Sequence, residues 1–63
     1  MANRDYDLFE VLPNGSSLWR GTIQGQENAL NKLRELFVRT TNELRLTHVS
    51  SNTIILTVNS PQP

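Results

Sequence analysis

Apolar residues crowd two short runs, Tyr6 to Leu12 and Ser17 to Ile23, separated by Pro13-Asn14-Gly15-Ser16, and this predicts a β-hairpin. Proline presets φ at the first central position of the turn, asparagine tolerates the next, and glycine takes the left-handed one. A type I turn closed by a G1 bulge is therefore preferred. It pairs Leu12 with Ser16 and Phe9 with Trp19, gathering Phe9, Val11, Trp19 and Ile23 on one face and Glu10, Arg20 and Thr22 on the other. The competitor is a two-residue Asn14-Gly15 type I′ turn, which sets Trp19 beside Glu10 and Phe9 beside Arg20 and so mixes charge into both faces.

From Gln26 to Thr41 the period changes. Ala29, Leu30, Leu33, Leu36 and Phe37 follow the i, i+3, i+4, i+7 spacing of one helical stripe, with Thr40 extending it. Gly25 serves as N-cap, Glu27 complements the N-terminal dipole and Arg39 the C-terminal one, and Asn42 ends the helix in a left-handed conformation. Glu43 to Val49 then alternates strictly, with Leu44, Leu46 and His48 on one side. After the turn Ser50-Ser51-Asn52, the β-branched run Thr53 to Val58 places Ile54, Leu56 and Val58 together and Ile55 opposite them.

The order is ββαββ, an α+β fold with one helix packed on one face of a four-stranded, mainly antiparallel sheet. The helix is long enough to return the chain along the sheet, so the third strand runs in the direction of the second. Setting it beside the first strand gives order 2-1-3-4, which is favoured; setting it beside the second requires one parallel pair. The expected helix-covered face holds Phe9, Val11, Trp19, Ile23, Leu44, Leu46, Ile54, Leu56 and Val58. The uncovered face then holds Tyr6, Leu8, Leu12, Leu18, Val49 and Ile55 among Glu10, Arg20, Glu43 and Arg45, more apolar than a solvated face requires.

At 63 residues the chain is one domain, burying only about 60% of the surface its unfolded form exposes. Residues 1–5 read as a flexible N-terminus, 6–59 as the domain, and 60–63, with Pro61 and Pro63, as a disordered tail. Without cysteine there is no disulfide or thiolate metal site, which leaves self-association as the common remaining staple. The absence of cysteine and of an apolar leader points to the cytoplasm. Six basic residues balance six acidic ones, so total charge does not steer the chain to nucleic acid, and no apolar run spans a bilayer.

Chemical candidates are few. His48, the single histidine, lies near Ser50 and Ser51 without an evident orienting carboxylate, so no catalytic residue is assigned and the chain reads as a non-enzyme. No cofactor or metal is expected, since a second histidine is lacking and the glycines at 15, 21 and 25 do not form a phosphate-cradling loop. Gly21 in mid-strand reads as a site of close approach or twist. Glu10 and Arg20 read as a surface ion pair, and Lys32, Arg34 and Arg39 as a solvated helix face interrupted by Glu27 and Glu35.

Tyr6-Asp7-Leu8-Phe9-Glu10, Pro13-Asn14-Gly15, Leu18-Trp19-Arg20-Gly21, Gly25, Glu27, Ala29, Lys32-Leu33, Glu35-Leu36 and Thr41-Asn42-Glu43 together make the chain resemble a group of short uncharacterised bacterial proteins. Those proteins often carry Asp where this chain has Asn14, a change that leaves the turn intact. The resemblance spans nearly the whole chain, brings no activity, and implies a free-standing small domain. The leading expectation is a homodimerising interaction domain with Tyr6, Leu8, Leu18 and Ile55 at its interface. A small-ligand or regulatory binding module, or a weak nucleic-acid binder, is the alternative. Strand Thr53 to Val58, uncharged and at a sheet edge, is the second route to pairing with a symmetry mate.

Overall fold

The computed structural model describes residues 5–59. The flexible segment expected at 1–5 falls outside the described residues except for Asp5, and the tail expected at 60–63 falls wholly outside them. The elements are β1 (Asp5–Val11), β2 (Ser17–Gln24), α1 (Gln26–Phe37), β3 (Glu43–His48) and β4 (Thr53–Val58). They form one antiparallel sheet in the order β2-β1-β3-β4, the ββαββ arrangement favoured from sequence.

The hairpin turn is the bulged one. Gly15 N donates to Leu12 O at 2.8 Å, Leu12 N donates to Ser16 O at 2.8 Å, and Gly15 sits at φ 90°, which only glycine adopts freely. Asn14 Oδ1 accepts from Ser16 N at 3.0 Å and locks the turn. Phe9 stands opposite Trp19 as expected. At Gly25 (φ 89°) the chain enters α1, and Ala29 N closes the first turn on Gly25 O.

The helix ends at Phe37, four residues short of the Thr41 predicted from periodicity. The cause lies in β1. Glu10 is buried beneath the end of the helix, where its carboxylate accepts from Thr40 Oγ1 at 3.0 Å and from Asn42 Nδ2 at 2.7 Å. Those bonds pull residues 40–42 off the helical path, and Asn42 acts as a side-chain donor and not as the left-handed terminator expected of it; among the described residues the non-glycine residues at positive φ are Asn52 and Asn59. Asn59 Nδ2 ties the end of β4 to the same loop through the carbonyls of Thr40 and Asn42.

The helix packs on the opposite face of the hairpin from the one expected. Residues paired across an antiparallel ladder share a face. Tyr6, Leu8 and Glu10 stand opposite His48, Leu46 and Leu44, and the core consists of Tyr6, Leu8, Leu44 and Leu46 beneath Ala29, Leu33 and Leu36. Phe9, Val11 and Trp19 therefore point away from the helix, and Trp19 is 59% exposed. Two β-bulges complete the departure. At Arg20 the register of β2 shifts, so Ile23, opposite Tyr6, reaches the core side as expected but no longer shares a face with Trp19. At Ile55 the register of β4 shifts, sending Ile54 to the open face while Leu56 and Val58 stay on the helix side.

Candidate functional site

Two surfaces of the described residues expose apolar groups. The first is the open face of the sheet. One row crosses it from Trp19 on β2 to Phe9 on β1, Arg45 on β3 and Thr57 on β4; the adjacent row runs Thr22, Asp7, Thr47, Ile54. Trp19 donates its indole N–H to Asp7 Oδ1 at 3.3 Å, and Thr22 Oγ1 donates to the same oxygen, so the exposed ring is oriented from beneath. Arg45 is paired with Glu43 on its own strand. Asp5 lies at the end of this face, its Oδ1 buried without a hydrogen-bond partner among the described residues. A shallow depression of about 300 Å³ between Phe9, Ser17, Arg45, Thr47, Asn52 and Ile54 adjoins the aromatic row.

The second surface is β4 with the groove beside it. The helix lies over β1, β2 and β3, leaving Leu56 and Val58 bordered by Leu30, Leu33, Arg34 and Phe37 around an apolar groove of about 260 Å³. Ile54, Ile55, Leu56 and Phe37 are all exposed. The outer edge of β4 carries no charge from Thr53 to Val58. Both edge strands contain a bulge, at Arg20 in β2 and at Ile55 in β4, and β2 alone adds a charge, the Arg20 guanidinium.

Of the residues expected at an interface, Tyr6 (4% exposed) and Leu8 (0%) lie in the core and present nothing to a partner. Leu18 and Ile55 are exposed, but on β2 and β4, at opposite edges of the sheet, so the four do not form one surface. Glu10, expected in an exposed ion pair, is buried, with Arg20 Nε 3.8 Å from it. The Asn42 and Thr40 bonds and the Arg20 charge hold its carboxyl below the usual glutamate range, against the opposing effect of burial. The signal for the true orientation is Asp7, which shares a face with Phe9 and marks it as the wet one.

His48 packs against the Tyr6 ring, centroids 5.3 Å apart, and its Nδ1 lies 2.9 Å from Ser51 Oγ and 3.3 Å from Ser50 Oγ. These contacts secure the β3–β4 turn. Among the described residues no group of three or more His, Cys, Asp and Glu side chains is placed to hold a metal ion, and no helix is long and apolar enough to cross a membrane. No protein-family model, curated protein or solved structure matches the chain.

Proposed function

We propose that the protein is a non-enzymatic interaction domain that forms a homodimer through β4. The observation that carries this reading is an uncharged edge strand, uncovered by the helix, lying next to an apolar groove. Antiparallel pairing of β4 with its mate about a two-fold axis normal to the sheet is self-complementary and keeps both helices on the same side. The two grooves then face each other, and Phe37 and Leu56 of each protomer fill the space beside the partner's.

Size supports using both features. A stable interface buries about 800 Å² per partner. A six-residue strand, about 20 Å long, supplies only a few hundred Å² along its edge. The exposed side chains of Phe37 and Leu56 beside the strand add apolar area to that edge. A cysteine-free composition fits a reducing, cytoplasmic setting for such a dimer.

Light scattering across a concentration series tests the proposal, with Ile55→Lys as the disrupting variant, because a lysine on the strand edge opposes its own symmetry mate. The expected result is a wild-type dimer and an Ile55→Lys monomer of unchanged circular dichroism. A wild type that stays monomeric at about 100 μM, where even a weak biological dimer with micromolar Kd is saturated, overturns it.

A further inference from the structure

We propose that the open face around Trp19 binds a basic, extended peptide segment, seating an arginine or lysine side chain over the indole and against Asp7. An indole at the β2 end of an exposed row, 59% accessible and fixed through its N–H to Asp7 Oδ1, is a preorganised aromatic surface. Holding the ring in advance reduces the ordering cost of binding. Phe9, directly opposite on β1, extends that surface.

Charge selects the occupant. The described residues of this face carry Asp5, Asp7 and Glu43 against Arg45 alone, and Arg45 is already paired with Glu43. Asp7 spends Oδ1 on Trp19 and Thr22, while its Oδ2 accepts no hydrogen bond among the described residues. A cation above the indole gains from the ring quadrupole and from this carboxylate together. A phosphate backbone in the same place meets uncompensated acid, which disfavours nucleic acid. The depression beside Phe9, bounded by Ser17, Thr47 and Ile54, gives the peptide backbone a path toward β4.

Trp19 is the only tryptophan, so its emission reports occupancy. The test titrates acetyl-Gly-Arg-Gly-Arg-Gly-amide into the full chain at low salt, beside the same peptide with citrulline for arginine and beside an oligothymidylate. The arginine peptide is expected to shift Trp19 emission and to bind at least about tenfold more tightly than the citrulline isostere, the sum of a cation–π contact and one ion pair. By calorimetry, Asp7→Asn and Trp19→Phe each weaken it several-fold, whereas Leu18→Ala, on the helix side, leaves it unchanged. Equal binding of the arginine and citrulline peptides, no saturation by about 5 mM peptide, or preferential binding of the oligothymidylate overturns the proposal.

Discussion

Replacing Glu10 by alanine removes the carboxylate that holds the α1–β3 loop against β1. Two hydrogen bonds are lost, from Thr40 at 3.0 Å and Asn42 at 2.7 Å, together with the attraction of Arg20 at 3.8 Å. Bonds to a charged acceptor contribute about 1.5–3 kcal/mol each, but both donors are part-buried and recover water, so the expected loss is about 2 kcal/mol in total. For a domain of this size that lowers Tm by about 8–16 °C. The pH dependence gives a second readout. Because the folded-state pKa of Glu10 lies below its unfolded value, its ionised form contributes stability in full above the usual glutamate range. That contribution is lost as pH falls through the unfolded and then the folded pKa. Glu10→Gln, which keeps an acceptor for Asn42, is therefore less stable than wild type at pH 7, and the difference narrows on acidification to about pH 3. Urea unfolding followed by circular dichroism, at one fixed protein concentration, measures both. A Glu10→Ala loss below about 0.5 kcal/mol, or a Glu10→Gln deficit that stays constant with pH, refutes the role given to this carboxylate.

Leu8→Ala empties a fully buried site and is expected to cost about 2–5 kcal/mol, well beyond the cost of Trp19→Ala; denaturant midpoints that rank the two the other way invert the face assignment. Gly21→Val places a β-branched residue at φ 138° in open space, so the backbone alone resists it, and about 1–2 kcal/mol of destabilisation is expected. An unchanged midpoint means that the β2 bulge relaxes without strain. Acrylamide quenches Trp19 nearly as readily as a free tryptophan analogue, since the ring is exposed; strong protection in the monomer contradicts the open face.

The turn, the helix start at Gly25 and the strand order were legible because each depends on local chemistry or on chain length. Gly15 and Pro13 name a turn type, and a helix of this length returns the chain beside β1. Which face of the hairpin the helix covers was not legible from alternation, because β1 carries apolar residues at both parities, Leu8 with Tyr6 and Phe9 with Val11. The choice is made by β3, whose Leu46 and Leu44 stand opposite Leu8 and Glu10. Bulges at Arg20 and Ile55 then break the two-residue period on which face assignments rest. Gly21 beside the first bulge was its only signal. The early end of the helix depends on Glu10, a contact 30 residues away from Thr40, and no local pattern announces it. The four residues expected at an interface dispersed for the same reason: Tyr6 and Leu8 went to the core with the helix, and Leu18 and Ile55 remained at separate edges.

The most direct test of the β4 dimer is an isotope-filtered NOE experiment on an equimolar mixture of differently labelled protomers, which records only contacts between copies. Cross-peaks are expected between β4 residues of one protomer and β4 of its partner, joined by Phe37 and Leu56 side-chain contacts across the groove. Intermolecular contacts centred on Trp19 and Phe9, or none at a concentration suited to the experiment, contradict it.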